Sequence, residues 1–309
     1  RQLRYPIVKP YSDQLENKDQ WCIAAVPGAA WAKKVFPGMR TGTAMEKLWE
    51  AILFTSRVTD DPEKAWADHD RDLQERCDYL NSLGIRVYTH IAECAGVKDA
   101  PLSSSAGLLM PEPQPGHFAL LDASKEAPMQ EAIRTAGSEG DSVGGVLETA
   151  ILGLPAGIGE PYFDSVESEI AHLAFSIPAV KGIEFGTGFG FAGLRGSEAN
   201  DAFRMTAEGA VVTATNHNAG INGGIANGMP VVFRTAVKPT PSIYKQQDTV
   251  DYIAKKDAQL SIQGRHDPCI VPRAAIVQTC AAALAVGDLL TARYGARWMT
   301  DPTGYRKED

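Results

Sequence analysis

Residues 264–269 (GRHDPC) form the densest group of chemically active side chains in the sequence. An arginine such as Arg265 can clamp a phosphate, and a histidine beside an aspartate, as in His266 and Asp267, can move protons. A metal site is not expected, because adjacent residues rarely chelate one ion and no second group of ligands is evident. The segment therefore indicates phosphate binding and proton transfer.

A loop rich in glycine and asparagine, residues 216–228 (NHNAGINGGIANG), contains another histidine, His217. Glycines such as Gly223 let the backbone approach a ligand closely, and asparagine side chains supply both donors and acceptors. Loops of this composition also occur simply as elaborate turns. From the residues alone, both interpretations stay open.

The segment at residues 238–242 (KPTPS) follows a strand-like run. Its two prolines stiffen the backbone, while Lys238, Thr240 and Ser242 present an ammonium group and two hydroxyls. These groups suit contacts with a phosphate or with a flavin carbonyl. A solvated surface loop is the alternative.

Two further glycine motifs are weaker signals. Residues 140–144 (GDSVG) match G-x-S-x-G, but a nucleophile elbow needs strand, turn and then helix, whereas the order here is helix, turn and strand. Residues 186–190 (GTGFG) follow a strand, but Phe191 breaks the dinucleotide fingerprint and no helix clearly follows. Neither a serine hydrolase nor a dinucleotide-binding protein is favoured.

The elements that must position these groups are strands and helices in mixed order, which favours the α+β class over a regular βαβ array. Apolar patterns predict strands at 86–91, 143–154, 180–185 and 230–237, and helices at 127–136, 166–177 and 273–294. Thr43 and Glu46 have capping-box spacing ahead of an amphipathic helix, as do Asp164 and Glu167. Another helix is expected to begin at Pro62.

Composition and charge exclude several classes of protein. The chain of 309 residues is 44% apolar and 22% charged, which is ordinary globular usage, and its net charge is −8. Neither nucleic acid nor a membrane is expected as a partner, because general binders of both are normally basic. No uninterrupted apolar run is long enough to span a membrane, and the first residues lack the apolar core of a signal peptide. Five widely spaced cysteines without a CxxC pair fit a reducing, cytoplasmic location.

Residues 85–299 resemble the C-terminal portion of chorismate synthases. The resemblance is carried, in family order, by residues 140–145 (GDSVGG), 155–161 (PAGIGEP), 176–182 (SIPAVKG), 216–228, 238–242 and 264–269. It implies a β-α-β sandwich of antiparallel sheets and long helices, and a homotetramer. It also implies a lyase that uses reduced FMN to eliminate phosphate and a proton from 5-enolpyruvylshikimate 3-phosphate, without net redox change.

The same resemblance assigns roles to individual residues. The flavin contacts would be Pro178, Ala179, Gly223, Lys238, Pro239, Thr240, Pro241, Ser242 and Arg265. Asp267 would be the base that acts with flavin N5, and His266 would share in catalysis or only orient the loop. Arg273 and His217 are the candidate substrate-binding residues, Arg273 through the substrate phosphate and His217 from a loop that matches the family. No metal ligand is implied.

Residues 1–84 resemble a different family, the aminopeptidase T-type metalloaminopeptidases. The matching segments are residues 21–27 (WCIAAVP), 30–38 (AWAKKVFPG) and 46–52 (EKLWEAI). That family's metal-binding residues lie in a later half that is not found here, so peptidase activity is not expected. The sequence is therefore divided into residues 1–84, residues 85–299 and a polar tail, residues 300–309.

Both resemblances cover only part of their families. The N-terminal half of chorismate synthases, with its Gly-Glu-Ser-His-Gly motif, substrate-binding arginines and Arg-Ser-Ser flavin contact, is not found. The join near Gly84 and Ile85 would be a natural fusion, an engineered chimera or a sequence artefact. Three hypotheses stay open: a chorismate synthase, inactive if the absent half is essential; a non-catalytic chimeric scaffold that keeps part of an FMN site; and a metalloaminopeptidase fragment.

Overall fold

The computed structural model describes residues 25–82, 84–102, 116–262, 264 and 266–295. The chain divides into two compact units, Arg1–Asp78 and Tyr79–Asp309. The helices are α1 (Ala29–Val35), α2 (Thr41–Thr55), α3 (Pro62–Ser82), α4 (Glu126–Ser138), α5 (Val166–Ser176), α6 (Gly196–Ala199) and α7 (Val271–Tyr294). The strands are β1 (Arg86–Cys94), β2 (Val97–Lys98), β3 (Gly145–Leu152), β4 (Val180–Phe185), β5 (Phe203–Met205), β6 (Val211–Thr213), β7 (Ile221–Asn222), β8 (Ile225–Ala226), β9 (Val231–Val237), β10 (Gln247–Asp251) and β11 (Lys256–Leu260).

The described part of the first unit is helical, as the sequence predicts. Helices α1 and α2 share a small core of Ala32, Ala44 and Leu48. Met45 and Ile52 pack against this core from the predicted apolar face of α2. The spacing of apolar residues three and four apart therefore predicted part of the buried side of this helix, whereas Trp49 and Leu53 on the same apolar face are exposed.

Both predicted capping boxes are wrong in position. Helix α2 begins at Thr41, two residues before the expected cap at Thr43, and no side chain caps it. Helix α5 is capped by Ser165 rather than by Asp164, since the Ser165 hydroxyl accepts a hydrogen bond from the Ser168 N–H at 3.1 Å. Spacing alone does not determine which of several neighbouring polar residues is the N-cap, because that depends on which one has a non-helical backbone conformation.

A five-stranded sheet forms the centre of the second unit. Its strand order is β2-β1-β3-β9-β4, and every neighbouring pair is antiparallel. The other described strands form three two-stranded hairpins, β5-β6, β7-β8 and β10-β11. The four predicted strands and the α+β class are therefore confirmed.

Helices α5 and α7 cover one face of this sheet in two apolar clusters. One cluster contains Phe233 and, near the end of α7, Leu290. The other contains Ile91, the end residue Val237 of β9 and, at the start of α7, Val271. The two clusters therefore mark opposite ends of the sheet.

A buried polar bridge joins α7 to the centre of the same face. The Gln278 amide donates to the Thr149 hydroxyl at 2.8 Å and accepts from the Thr235 hydroxyl. The Thr149 hydroxyl also lies 2.8 Å from that of Thr89. These bonds satisfy groups that would otherwise be buried without partners.

The far side of α7 is apolar and open to solvent. Ile276 and Leu284 are each 67% exposed, and Val277 is 46% exposed. In the described residues α7 is also the one helix long and apolar enough to cross a membrane, but 44% of its most apolar window is buried. Core helices commonly meet the same criterion. The predicted buried helix is thus buried on one side only.

The opposite face of the sheet carries a row of polar, ionisable residues on four strands. In register, His90 pairs with Glu148, Glu148 with Arg234, and Arg234 with Glu184. The Arg234 Nη2 atom lies 2.8 Å from Glu184 Oε1. Neither β3 nor β9 contains another charged residue.

Candidate functional site

Four loop segments identified in the sequence meet beyond the end of β9. They are residues 140–144, 178–179, 238–245 and the described part of 264–269, which is residues 264 and 266–269, and we call them the loop cluster. The Lys238 N–H donates to the Ala179 carbonyl at 2.9 Å, and the Val143 N–H donates to the Pro268 carbonyl at 2.8 Å. Backbone bonds therefore assemble segments that are far apart in the sequence.

The serine of the G-x-S-x-G motif has a structural role in this cluster. The Ser142 hydroxyl donates to the Thr240 carbonyl at 2.6 Å, and the Tyr244 N–H donates to the Gly140 carbonyl at 3.0 Å. At Gly144 a Cβ atom would lie 2.3 Å from the Val237 carbonyl oxygen, so the chains meet too closely for a side chain. The motif thus joins two loops, in line with the rejection of a nucleophile elbow.

His266 is packed against Tyr244 within the cluster. The two ring centroids are 4.9 Å apart in an edge-on arrangement, and the Tyr244 hydroxyl donates to the Gly264 carbonyl at 2.5 Å. The Nε2 atom of His266 is buried and has no hydrogen-bond partner. Its ring is therefore held in place while one nitrogen is left unsatisfied.

Three buried side-chain polar atoms have no hydrogen-bond partner in the described part of the chain. They are His217 Nδ1, Thr240 Oγ1 and His266 Nε2. Buried polar groups nearly always have partners, so an unpaired one points to a missing water, ion or ligand. All three atoms belong to residues predicted from the sequence to form the site.

Asp267 and Arg273 are paired with each other. Arg273 Nη1 donates to Asp267 Oδ2 at 2.8 Å, and Arg273 Nη2 donates to Asp267 Oδ1 at 3.2 Å. This two-point contact fixes the plane of the carboxylate and leaves the arginine largely exposed. The predicted base and the predicted phosphate ligand therefore form one unit.

The remaining predicted flavin contacts of the loop cluster lie near its surface. Pro178, Lys238, Pro239 and Pro241 are exposed, whereas Ser242 is half-buried. Ala179 has a φ of +76°, a left-handed conformation that is uncommon for alanine. Arg265 lies outside the described residues.

The start of the glycine- and asparagine-rich loop is built around Asp201. This residue was not among those predicted from the sequence to form the site. The Asp201 carboxylate accepts hydrogen bonds from the Thr215 hydroxyl at 2.7 Å, from the His217 N–H at 2.8 Å, and from the Asn218 N–H and side-chain amide, both at 2.8 Å. Burial would raise the pKa of Asp201, but these bonds lower it to about 2. His217 Nδ1 is 3.1 Å from Asp201 Oδ1 but out of line for a hydrogen bond. Asp201 therefore organises the start of the 216–228 loop.

His217 and Gly223 lie at the other end of β9 from the loop cluster. The Gly186 N–H donates to the carbonyl of Val232, the second residue of β9, and a Cβ on Gly186 would lie 2.0 Å from the His217 carbonyl. Gly223 forms the β7-β8 turn. A seven-residue strand is roughly 20 Å long. The structure thus places Gly223 and Lys238 in two separate groups within one chain.

A buried histidine between two carboxylates was missed by the sequence analysis. The Nδ1 atom of His90 lies 2.9 Å from Asp99 Oδ2, and its Nε2 atom lies 2.9 Å from Glu148 Oε2. The carboxylates also accept backbone N–H groups, Glu148 from Leu102 at 2.8 Å and Asp99 from Leu121 at 2.7 Å. His90 thus attaches two loop segments to the sheet. The available signal was a histidine and a glutamate at the centres of two apolar strands.

No metal centre is found in the residues that the structure covers. No three histidine, cysteine, aspartate or glutamate side chains there are arranged so that they could hold one ion; the carboxylates around His90 bond to its ring nitrogens instead. For the whole chain, the absence of metal ligands stays a prediction.

Two family models match the chain. Residues 77–291 match the model described as "Chorismate synthase", and residues 1–93 match the model described as "Thermophilic metalloprotease (M29)". The two matches overlap at residues 77–93.

Curated relatives and a solved structure agree with the first of these matches. A chorismate synthase of Methanosarcina acetivorans is 44% identical over 209 residues, which is 68% of this chain and 56% of that protein. A chorismate synthase of Chitinophaga pinensis is 50% identical over 161 residues, which is 52% of this chain and 48% of that protein. A crystal structure of chorismate synthase matches with a TM-score of 0.54 and 25% identity, covering 70% of this chain and 60% of that one. The chain thus spans about half the length of the curated relatives it matches.

Proposed function

The chain belongs to the chorismate synthase family, and from this membership we propose that residues 85–299 form the flavin-binding part of a lyase. Its reaction is the conversion of 5-enolpyruvylshikimate 3-phosphate to chorismate and phosphate. The partner is a small phosphorylated molecule rather than nucleic acid or a membrane, and the proposed location is the cytoplasm. The carrying observation is the pair of unsatisfied atoms in the loop cluster, Thr240 Oγ1 and His266 Nε2.

Reduced FMN is the proposed cofactor, and the loop cluster fits it. The Thr240 hydroxyl can both donate and accept a hydrogen bond, and its buried oxygen has no protein partner. Lys238 next to it is exposed and supplies a positive charge for a phosphate. When bound, reduced FMN supplies an electron-rich ring that assists C–O cleavage. Ala179, Lys238, Pro239 and Thr240 would hold it.

Asp267 is the proposed base, and Arg273 is its positioning partner. The guanidinium holds both carboxylate oxygens and so restricts the direction from which a proton reaches Asp267. His266, one residue earlier, offers Nε2 to a donor or acceptor on the bound molecules. The departing phosphate needs positive charge beside it, and Lys238 and Arg265 are the proposed sources.

A homo-oligomer, a tetramer in the family, is part of the proposal. Gly223 and His217 lie about 20 Å, the length of a seven-residue strand, from Lys238, which is too far for all three to surround one flavin ring in the same copy. An interface between copies is one way in which residues from opposite ends of the sheet meet. Size-exclusion chromatography with light scattering, with and without FMN, measures the assembly.

The experiment combines flavin binding with turnover for the whole chain. FMN binding is followed by flavin fluorescence, and phosphate release is measured anaerobically with reduced FMN and 5-enolpyruvylshikimate 3-phosphate. We expect Thr240→Val to weaken FMN binding about tenfold, the usual effect of one lost hydrogen bond. The matched control is Thr249→Val on β10, where the side chain is exposed. It should bind FMN as the original chain does.

The outcomes separate the hypotheses. Binding together with phosphate release supports the lyase. Binding without phosphate release supports a non-catalytic scaffold that keeps part of the flavin site. Absence of both, in a folded chain, overturns the flavin proposal.

For residues 1–84 we propose a separate metallopeptidase-like segment, supported by the match of residues 1–93 to the M29 model. Peptidase activity is the weaker alternative, because the described part of this segment holds no group of metal ligands. Sequencing the coding region across codons 84 and 85 tests whether the join is continuous. Metal-dependent cleavage of leucine amide by the whole chain would restore the peptidase hypothesis.

A further inference from the structure

Two cysteine thiols meet beside the loop cluster. Cys94 is the last residue of β1 and is fully buried, while Cys269 precedes α7 and is partly exposed. Their sulfur atoms are 3.6 Å apart, although the residues are 175 positions apart in the sequence. A disulfide requires about 2.05 Å, so a combined movement of about 1.5 Å would join them.

The surroundings make the two sulfurs unequal. The hydrogen bond from the Cys94 thiol lowers the pKa of Cys269 against the opposing effect of burial, and the Val271 N–H at the start of α7 lowers it further. The same hydrogen bond and burial raise the pKa of Cys94. Cys269 is therefore the better nucleophile, and Cys94 is the thiol held next to it.

We propose that Cys94 and Cys269 form an oxidative modification site, which a peroxide converts to an intramolecular disulfide. The proposal stands on the sulfur separation and on the partial exposure of Cys269, and it does not depend on the proposed lyase activity. A cysteine without a nearby thiol would stop at a sulfenic acid or continue to higher oxides. Cys280, exposed on α7, provides that comparison.

The chemistry balances with a hydroperoxide as the oxidant. The Cys269 sulfur attacks one peroxide oxygen, the O–O bond breaks, and Cys269 becomes a sulfenic acid while hydrogen peroxide is reduced to water. The Cys94 sulfur then attacks the Cys269 sulfur, the S–O bond breaks, and the hydroxyl leaves with a proton as a second water. Two thiols lose two electrons and two protons in total, and a dithiol reductant reverses the change.

The bond would affect the segment that carries the proposed base. Cys269 is two residues from Asp267 and three from His266, and the adjoining Pro268 carbonyl accepts the Val143 N–H. A covalent link to β1 would fix this segment to the end of the central sheet. Oxidation is therefore expected to restrict the movement of the segment that carries His266 and Asp267.

The test treats the full chain with hydrogen peroxide, blocks the remaining thiols and maps tryptic peptides by mass spectrometry. We expect peptide 87–98 (VYTHIAECAGVK) linked to peptide 266–273 (HDPCIVPR), with a mass about 2 Da below the sum of the two and separation on reduction. The peptide that contains Cys280 should not join either of them. This peptide map uses the chain without substitutions, so its result does not depend on whether a variant folds.

Variants then test the order of the two steps. In Cys94→Ser or Cys94→Ala, a sulfenic acid should persist at Cys269 and be trapped by dimedone, whereas the original chain should show much less trapping. In Cys269→Ser, Cys94 should remain a thiol. The proposal is overturned if no 94–269 link forms at a peroxide dose that oxidises Cys280. It is also overturned if Cys269 is trapped equally with and without Cys94.

Discussion

Replacing Asp201 by asparagine should destabilise the 216–228 loop by a predictable, pH-dependent amount. One carboxylate oxygen accepts from Thr215 and His217, and the other accepts twice from Asn218. An asparagine keeps only one acceptor oxygen and turns its NH₂ group towards donors. The side chain of Asp201 is 1% exposed, so water cannot replace the lost bonds without local opening.

The magnitude follows from the pKa of Asp201. It falls from an ordinary 3.8 to about 2 in the folded chain, and each unit corresponds to about 1.4 kcal/mol, so the ionised carboxylate contributes roughly 2–3 kcal/mol. Since the folded pKa is the lower one, this contribution is complete above pH 3.8 and is lost as the pH falls towards 2. The difference between Asp201→Asn and the original chain should therefore be largest near neutrality and should fall to a small part of that value, about 0.4 kcal/mol, at pH 2.

Native-state hydrogen exchange of peptides that cover residues 216–228 is the suitable assay, because it reports the opening free energy of this loop. Tryptophan fluorescence is unsuitable, since four of the five tryptophans precede residue 85. The matched control is Asp251→Asn, at an exposed turn where the single oxygen Oδ1 accepts from both Ile253 and Ala254. Asparagine keeps that oxygen, so the change should stay within about 0.5 kcal/mol. An equally small effect of Asp201→Asn at pH 7, or one that persists unchanged at pH 2, would refute the reasoning.

Two further predictions concern close packing and exposed apolar surface. Gly144→Ala should lower the melting temperature measured by circular dichroism, because the added Cβ would lie 2.3 Å from a carbonyl oxygen. The matched control is Gly287→Ala within α7, where a Cβ would have no atom within 4 Å. This control should leave the stability unchanged or raise it by up to about 1 kcal/mol. Equal effects would contradict the close approach at Gly144. The double variant Ile276→Glu and Leu284→Lys should reduce self-association in size-exclusion chromatography, because it interrupts the exposed apolar side of α7. Asp288→Asn on the same helix is the control, and an unchanged elution profile of the double variant would exclude this face as the cause.

The strands of the central sheet could be predicted because their apolar patterns are local. The run at 230–237 and the run at 180–185 both became strands of the sheet, at positions close to those expected. The helix caps were less predictable, since Asp164 and Ser165 both have suitable side chains and only the backbone conformation distinguishes them. Local sequence patterns therefore gave the type of each element better than its first residue.

The candidate site was predictable as a set of segments but not as an arrangement. Nothing in the sequence indicates that the Lys238 N–H meets the Ala179 carbonyl, or that Gly223 lies at the opposite end of β9, because such contacts depend on strand order. The His90–Glu148 contact was hidden for the same reason, since these residues are 58 positions apart. Spatial neighbours across a sheet leave little trace in the spacing of one sequence.

The row of His90, Glu148, Arg234 and Glu184 also has a consequence for how the strands find their alignment during folding. Strands β3 and β9 each contain apolar residues on both faces, so apolar residues alone leave their alignment weakly specified. A shift of one residue, however, turns the only charged side chain of the shifted strand from this face towards α7, where Phe233 and Leu147 are packed. It would also separate Glu148 from the imidazole of His90 and Arg234 from Glu184. Misaligned sheets are therefore penalised by an unpaired buried charge, and one ionisable residue on each central strand supplies that penalty.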